Sequence, residues 1–347
     1  MCYLWITVPS KEVILSLLGN STLLLVAYRK RLSLKPAEFF IVNLSISDLG
    51  MTVTLFPLAI SSLFAHRWLF DELTCLCYAF CGVLFGLCSL TNLTVLSSVC
   101  CLKVCFPSYG RKFFSWHAHM LVAGVWCYAS VFAVGPLLRW GHYGPEPYGT
   151  ACLINWHAPN NELSAMTYII CLFLFCYVLP CTIIFSSYAC ILLRVHGSRQ
   201  AVLQHVSLQT NNANAHILIV KLSVAVCIGF LMAWSPYAVV AMWAAFSDAK
   251  RVPPIVFALA AIFSKSSTTF NPIVYLLFKP NFRKSMCREA MHLCYFIRPG
   301  PARQESRGSY RSTQPYNKDA CISNCLSNGQ PENHRRVCWH CVREGPP

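Results

Sequence analysis

Lys265 is the only charged residue between Val252 and Phe278, inside the stretch AIFSKSSTTFNPIVY. A lysine at the middle of a bilayer-length helix costs about 2.5–3.5 kcal/mol on insertion scales, so an amine kept there marks a site of function. A primary amine secluded from water is a nucleophile that can condense with an aldehyde. Two blander roles compete, snorkelling to the membrane surface and pairing with an acid. Snorkelling fits poorly, because Lys265 stands more than ten residues from either end of its apolar run. Ala261 and Ala258, about one and two turns earlier, leave space on the lysine's helix face. Trp234 and Tyr237, three apart on another apolar run, offer aromatic walls to an elongated apolar ligand.

The elements that must position these groups are membrane spans. Hydrophobic residues make up 56% of the 347-residue chain and charged residues only 12%; mean hydropathy is +0.49. A water-soluble chain of that composition would expose large apolar patches. Runs of about 20 residues, enough to cross a bilayer, occur at Phe39–Ala65, Cys77–Leu102, Ala118–Leu138, Leu163–Leu193, Leu222–Phe246 and Val252–Phe278. A seventh, Val13–Tyr28, is short and reaches bilayer length only by extending through Lys11 and Glu12 to Tyr3. Neither a basic leader nor a small-residue cleavage site accompanies it, so it reads as a span and not a cleaved signal. The fold expected is an all-α membrane protein. Residues 1–12 form a short outer N-terminus or the outer end of the first helix, and 13–286 a seven-transmembrane helix bundle with a short amphipathic eighth helix. Residues 287–347 form a disordered tail rich in Ser, Pro and Arg.

Charge between the spans orients the bundle. Arg29, Lys30, Arg31 and Lys35, then Lys103, Arg111 and Lys112, then Arg194 and Arg199, then Lys279, Arg283, Lys284 and Arg288 alternate with segments where Asp71, Glu72, Glu146, Glu162 and Asp248 offset the basic residues. By the positive-inside rule the first set faces the cytoplasm, which puts the N-terminus outside and the tail inside a cell membrane. The net charge of +15 is then a topology signal plus a basic tail able to touch anionic membrane lipid. No basic stretch is interleaved with aromatic platforms, so nucleic acid is not an expected partner. The halves share no repeat, which argues against a transporter. The few polar residues within spans, Asn20, Asp48, Asn271 and Lys265, are too scattered to form a proton wire.

Leu18-Gly19-Asn20, Asn43-Leu-Ser-Ile-Ser-Asp48, Trp126, Pro180, Tyr188, Trp234-Ser-Pro236 and Asn271-Pro272-Ile-Val-Tyr275 occur in order along the chain. Together they resemble the landmarks of rhodopsin-like G-protein-coupled receptors. Lys265, six residues before Asn271, narrows the resemblance to the opsins. Pro145-Glu-Pro-Tyr-Gly-Thr, Cys105-Phe-Pro-Ser-Tyr109-Gly and Trp234-Ser-Pro-Tyr-Ala-Val-Val240 resemble the neuropsin group. The resemblance implies a photoreceptor, not an enzyme, with retinal as cofactor, held as a Schiff base on Lys265 and isomerised by light. It implies a pocket with Gly82, Trp234, Tyr237 and Ala261, and a counterion at Glu146, six residues before Cys152. Tyr78 stands where vertebrate visual opsins carry a glutamate. It implies a Cys75–Cys152 disulfide, with Cys77 a competitor for the first position. Cys287 and Cys294, just past the basic amphipathic stretch Lys279–Met286, are candidate lipidation sites at the membrane surface or else ordinary cytosolic thiols. Switch residues would be Asn20, Asp48, Pro180, Tyr188, Asn271, Pro272 and Tyr275. A heterotrimeric G protein and arrestin-like regulators would be partners.

One departure bears on coupling. Where receptors carry Asp-Arg-Tyr at the inner end of the third helix, this chain has Val99-Cys100-Cys101. An alternative therefore stands beside the receptor, a retinal photoisomerase or retinal-binding opsin with weak or no G-protein coupling. In the tail, Cys321-x3-Cys325 and Cys338-Trp-His340-Cys341 have a zinc-like look, but with no apolar core around them no metal site is expected.

Overall fold

The computed structural model describes residues 2–29, 31–156, 162–202, 210–246 and 252–278. The eighth helix, the tail, Cys287 and Cys294 lie outside them, as does the Tyr275 side chain.

Ten α-helices account for most of the described residues: α1 (Cys2–Arg29), α2 (Glu38–Phe64), α3 (Glu72–Cys105), α4 (Pro107–Gly110), α5 (Ser115–Val134), α6 (Leu163–Phe173), α7 (Leu179–Val202), α8 (Thr210–Phe246), α9 (Pro254–Lys265) and α10 (Ser267–Phe278). Six helical stretches are long and apolar enough to cross a membrane, including Lys11–Arg29, so the first span is longer than its apolar core of Val13–Tyr28. Leu18, Val53, Met120, Phe185, Met232 and Val239 turn outward, as lipid-facing side chains do. The chain is a multi-pass membrane protein.

The seventh crossing differs from the single helix expected over Val252–Phe278. It is two 12-residue helices, α9 and α10, meeting at Ser266; end to end they reach roughly 36 Å at 1.5 Å per residue. The break has a local cause. Ser264, Ser266, Thr268 and Thr269 turn their hydroxyls onto the carbonyls three residues back, at 2.6 to 3.1 Å, in competition with the helix ladder. Pro272 has no N–H for the Thr268 carbonyl four residues earlier. Asn20 of α1 supplies the missing donor, its Nδ2 lying 2.9 Å from Thr268 O.

The fifth expected span, Leu163–Leu193, is likewise interrupted. A π-helical turn, Leu174–Val178, joins α6 to α7 immediately before buried Pro180. The wider turn accommodates the proline ring, which a regular helix would press against the carbonyl of Cys176.

Polar residues pin the bundle core. Trp126 of α5 donates to Asn43 of α2 at 2.8 Å, Asn43 to Asn92 of α3 at 3.0 Å, and Asn92 back to the Phe40 carbonyl at 2.8 Å. These buried amides find partners on neighbouring helices. Phe40, Leu44, Leu93, Leu96, Ile184 and Val226 fill the space around them.

Two short antiparallel strands close one end of the bundle, β1 (Tyr143–Pro145) and β2 (Cys152–Ile154), with Gly144 opposite Leu153. A disulfide joins Cys152 of β2 to Cys75 in the first turns of α3. It is the pair expected from the resemblance; Cys77 is a free, exposed thiol. Every residue of β2 is buried, so the strand acts as a plug over the space between the helices.

Candidate functional site

Beneath that plug lies an apolar cavity with about 150 Å³ open to the centre of a water-sized sphere, roughly ten times the 10–15 Å³ that one water needs. Lys265, the last residue of α9, reaches into it, and its Nζ donates to Tyr78 Oη of α3 at 2.7 Å. The break at Ser266 ends the helix at this residue. Ala261, one turn back and 4% exposed, keeps the wall beside the amine thin.

Two glycines on one face of α3 make the opposite wall. Gly82 lies 3.7 Å from Leu55 Cδ1 as seen by a built Cβ, which is ordinary contact, but a Cβ on Gly86 would come within 2.8 Å of Trp234 Cη2. Trp234 therefore lies directly on the glycine backbone. Its Nε1 donates to Ser267 Oγ at 3.0 Å, and Phe230 stacks on it at 5.5 Å between centroids. Tyr237 meets Trp234 edge-on at 6.1 Å and accepts from Trp156 Nε1 at 3.1 Å. The arrangement is an apolar cavity with one primary amine and aromatic walls, able to take an apolar molecule and bond it covalently through a carbonyl.

Lys265, Tyr78, Gly82, Trp234, Tyr237 and Ala261 all line this cavity. Glu146 does not. It faces a smaller chamber of about 30 Å³, by the same measure, that shares Lys265 and Ala261. The hairpin explains the displacement: Glu146 N donates to Ala151 O and Gly149 N to Glu146 O, both at 2.9 Å, and the carboxylate accepts from Thr150 Oγ1 at 2.8 Å. Glu146 is nonetheless buried at 6% exposure, and the chamber has room for about two waters between it and the amine.

Gly86, Trp156, Ser267 and Thr150 belong to the site and were not singled out from sequence. Gly86 had a signal, lying one turn after Gly82. Ser267 and Trp156 had none, since their roles depend on which neighbour the fold brings up.

The switch residues fall into two groups. At the middle, Asn271 Nδ2 donates to Asp48 Oδ2 at 2.5 Å, while Asn20 bonds the Thr268 carbonyl. Asn20 and Asp48 thus each hold the seventh crossing. Pro272 packs so closely on Gly19 that a Cβ there would lie 2.4 Å from its ring. At the end away from the hairpin, Tyr188 of α7 bonds Ser223 of α8 and lies 3.5 Å from Cys227 Sγ. Cys100 of α3 shares the same serine at 3.7 Å. Where the family's arginine would stand, three helices meet through a neutral hydroxyl.

Such a bundle, with a lysine-bearing broken seventh helix beneath a disulfide-tethered hairpin, defines a class of receptor, and residues 19–275 match the 7 transmembrane receptor (rhodopsin family). The chain belongs to that family and, within it, to the opsins, which are receptors and not enzymes. It is 36% identical to human Opsin-5 over 262 residues, covering 76% of this chain and 74% of that protein. To human visual pigment-like receptor peropsin it is 30% identical, covering 81% of each. Its fold matches squid rhodopsin with a TM-score of 0.76 at 25% identity, covering 87% of this chain and 89% of that one.

Proposed function

We propose that this opsin holds retinal as a Schiff base on Lys265 and changes conformation when light isomerises it, signalling to a G protein. The observation that carries the reading is the Lys265 amine in the wall of a largely apolar, aromatic-walled cavity. The fit is chemical: retinal is a flat polyene with one polar reactive carbon, and the cavity is lined by small residues such as Gly82, Gly86 and Ala261 and by one amine. When bound, retinal supplies light absorption and a change of shape.

The protein's residues do the rest. Tyr78 orients the lysine nitrogen through its hydroxyl. The buried β2 strand and Trp156 keep water from the cavity. Glu146, reached through the small chamber, offers the negative charge that a cationic nitrogen in low dielectric requires. Trp234, seated on Gly86, lines the cavity and donates to Ser267 of α10, so pressure on its ring passes into α10. The light-driven change is a population shift biased by the photon. The positive-inside rule places the hairpin and N-terminus outside and the Cys100–Ser223–Tyr188 junction toward the cytoplasm.

Cys100 favours a second reading. Lacking the arginine, the protein forms its α3 contact through a thiol and Ser223, which suits an opsin with weak coupling or one retained for retinal isomerisation. Spectra of the wild type and Lys265→Ala with each retinal isomer test the shared part. Pigment in the wild type and none in the variant supports the assignment; equal pigment in both overturns it. Light-dependent nucleotide exchange on a G protein separates the two readings, and its absence beside isomer turnover selects the second.

A further inference from the structure

The turn of the hairpin brings two buried polar side chains together beside Lys265. Thr150 Oγ1 donates to Glu146 Oε1 at 2.8 Å, and the two residues are 4% and 6% exposed. Backbone bonds fix both. Glu146 N donates to Ala151 O, Gly149 N to Glu146 O, and Trp68 N to Gly149 O at 2.7 Å. Gly149, at φ +78°, supplies the left-handed bend that returns the chain toward Glu146. Glu146 and Thr150 face the small chamber together with Lys265 and Tyr148. With Oε1 held by Thr150, Oε2 is left to the chamber.

We propose that Thr150 is the positioning residue for the Glu146 carboxylate, its hydroxyl fixing which way the charge points and so how strongly it acts on the Lys265 nitrogen. The bond is made inside the protein, where a charge-assisted hydrogen bond is roughly twice as strong as a neutral one and a buried charge short of donors is costly. The branched side chain restricts the torsion that aims the hydroxyl, and the backbone is pinned on either side, at Gly149 and at Ala151. Thr150 acts through Glu146 and not on the ligand, since it lines the small chamber and not the large cavity.

The consequence rests on the retinal reading above. A negative charge near the retinal–lysine nitrogen favours its cationic, visible-absorbing form over its neutral, ultraviolet-absorbing one. The other titratable side chains lining the two spaces are Tyr148 in the chamber and Tyr78, Tyr237, Tyr177, Cys152 and Cys176 in the cavity, Cys152 being tied in its disulfide. Thr150 thus becomes a determinant of colour without touching the chromophore.

The test uses the full-length protein in lipid nanodiscs as wild type, Thr150→Val, Thr150→Ser, Glu146→Gln and the Thr150→Val/Glu146→Gln double variant. Valine keeps the branched shape and deletes the hydroxyl; serine keeps the hydroxyl. Without retinal, infrared spectra of protein carrying isotope-labelled glutamate give the carboxylate band of Glu146, identified as the one missing from Glu146→Gln. With retinal, the pH at which the visible band gives way to the ultraviolet one is read. Thr150→Val should shift the infrared band and lower the pH midpoint, by less than Glu146→Gln does, while Thr150→Ser keeps both near wild type. In the Glu146→Gln background Thr150→Val should add nothing further. The infrared reading needs no pigment, so it decides for a variant that binds retinal poorly, and the Cys75–Cys152 pair in each unreduced digest reports the fold. An infrared band indifferent to Thr150→Val, a midpoint that Glu146→Gln moves and Thr150→Val does not, or equal shifts in both backgrounds would overturn the proposal and leave the retinal reading standing. A wild type that forms no pigment, or a midpoint unmoved by Glu146→Gln, would overturn it together with the retinal attachment or the charge role of Glu146 on which it rests.

Discussion

Lys265 Nζ lies 2.7 Å from Tyr78 Oη, a contact between residues 187 apart in the chain that joins the end of α9 to the second turn of α3. Tyr78 is 3% exposed, so its hydroxyl serves the lysine inside the bundle and not in bulk water. Tyr78→Phe keeps the ring and deletes the one bond. We expect pigment still to form, with a shifted absorption maximum and a loss of about 1–3 kcal/mol from the buried nitrogen's lost partner. Absorption spectra and thermal unfolding of purified protein read the two effects; an unchanged spectrum would remove Tyr78 from the chromophore's surroundings.

Gly86 is the seat of Trp234. Gly86→Ala introduces a Cβ at 2.8 Å and 3.2 Å from two carbons of the indole, and the ring, held by Ser267 and Phe230, has to move. Overpacking of this kind costs about 1–3 kcal/mol. A lowered unfolding temperature together with altered retinal binding is expected, whereas Gly82→Ala, meeting only ordinary contact, is expected to be mild in both measurements.

Asn20 serves a carbonyl that Pro272 leaves without a helix donor. Asn20→Leu should cost about 0.6–2 kcal/mol, the range for hydrogen bonds between membrane helices. In a Pro272→Ala background the alanine N–H can serve Thr268, and the penalty of Asn20→Leu should shrink. A double-mutant cycle on thermal stability measures the coupling; additive effects would mean that the proline is not what makes Asn20 necessary.

Ser223 of α8 is shared by Cys100 of α3 and Tyr188 of α7, so one substitution removes a contact to each of two helices. Ser223→Ala removes bonds worth about 0.5–1.5 kcal/mol each, enough to raise a minor open state by roughly tenfold when 1.4 kcal/mol is lost. Labelling of Cys100 by a thiol reagent in the dark should quicken accordingly. An unchanged rate would show that the neutral junction does not hold the resting state.

Asp71 caps α3 just outside the span, accepting from the Thr74 backbone N–H at 3.2 Å and from its hydroxyl. The Thr74 hydroxyl and then its backbone N–H hold the carboxyl below the ordinary aspartate value. A depressed folded value means that the stabilisation is complete above the unfolded aspartate's titration range and is lost as pH falls through the folded one. Thermal midpoints of wild type should therefore decline in acid more than those of Asp71→Asn, which keeps a cap acceptor without titrating. Parallel acid profiles would contradict this.

Much of the bundle was legible because its signals are local and additive. Apolar runs mark spans, lysine and arginine between them mark sides, and Lys265 needs no neighbour to be conspicuous. The broken seventh crossing was not legible: the serines and threonines after Lys265 are compatible with a continuous helix, and only the Asn20–Thr268 bond shows how the loosened backbone is satisfied. The resemblance to the opsins implied a place for Glu146 near the site, but its turn onto Thr150 depends on the hairpin's register. Ser223 carried no mark at all, since a serine in a span is ordinary until Cys100 and Tyr188 converge on it.

The central claim is that the Lys265 nitrogen is the point of attachment for retinal, and reductive trapping tests it most directly. Purified protein loaded with retinal is treated with borohydride, digested, and mapped by mass spectrometry. The account predicts a retinyl mass on the peptide containing Lys265 and on no other lysine. A label at a different lysine, or a loaded protein that borohydride leaves unlabelled, would contradict it.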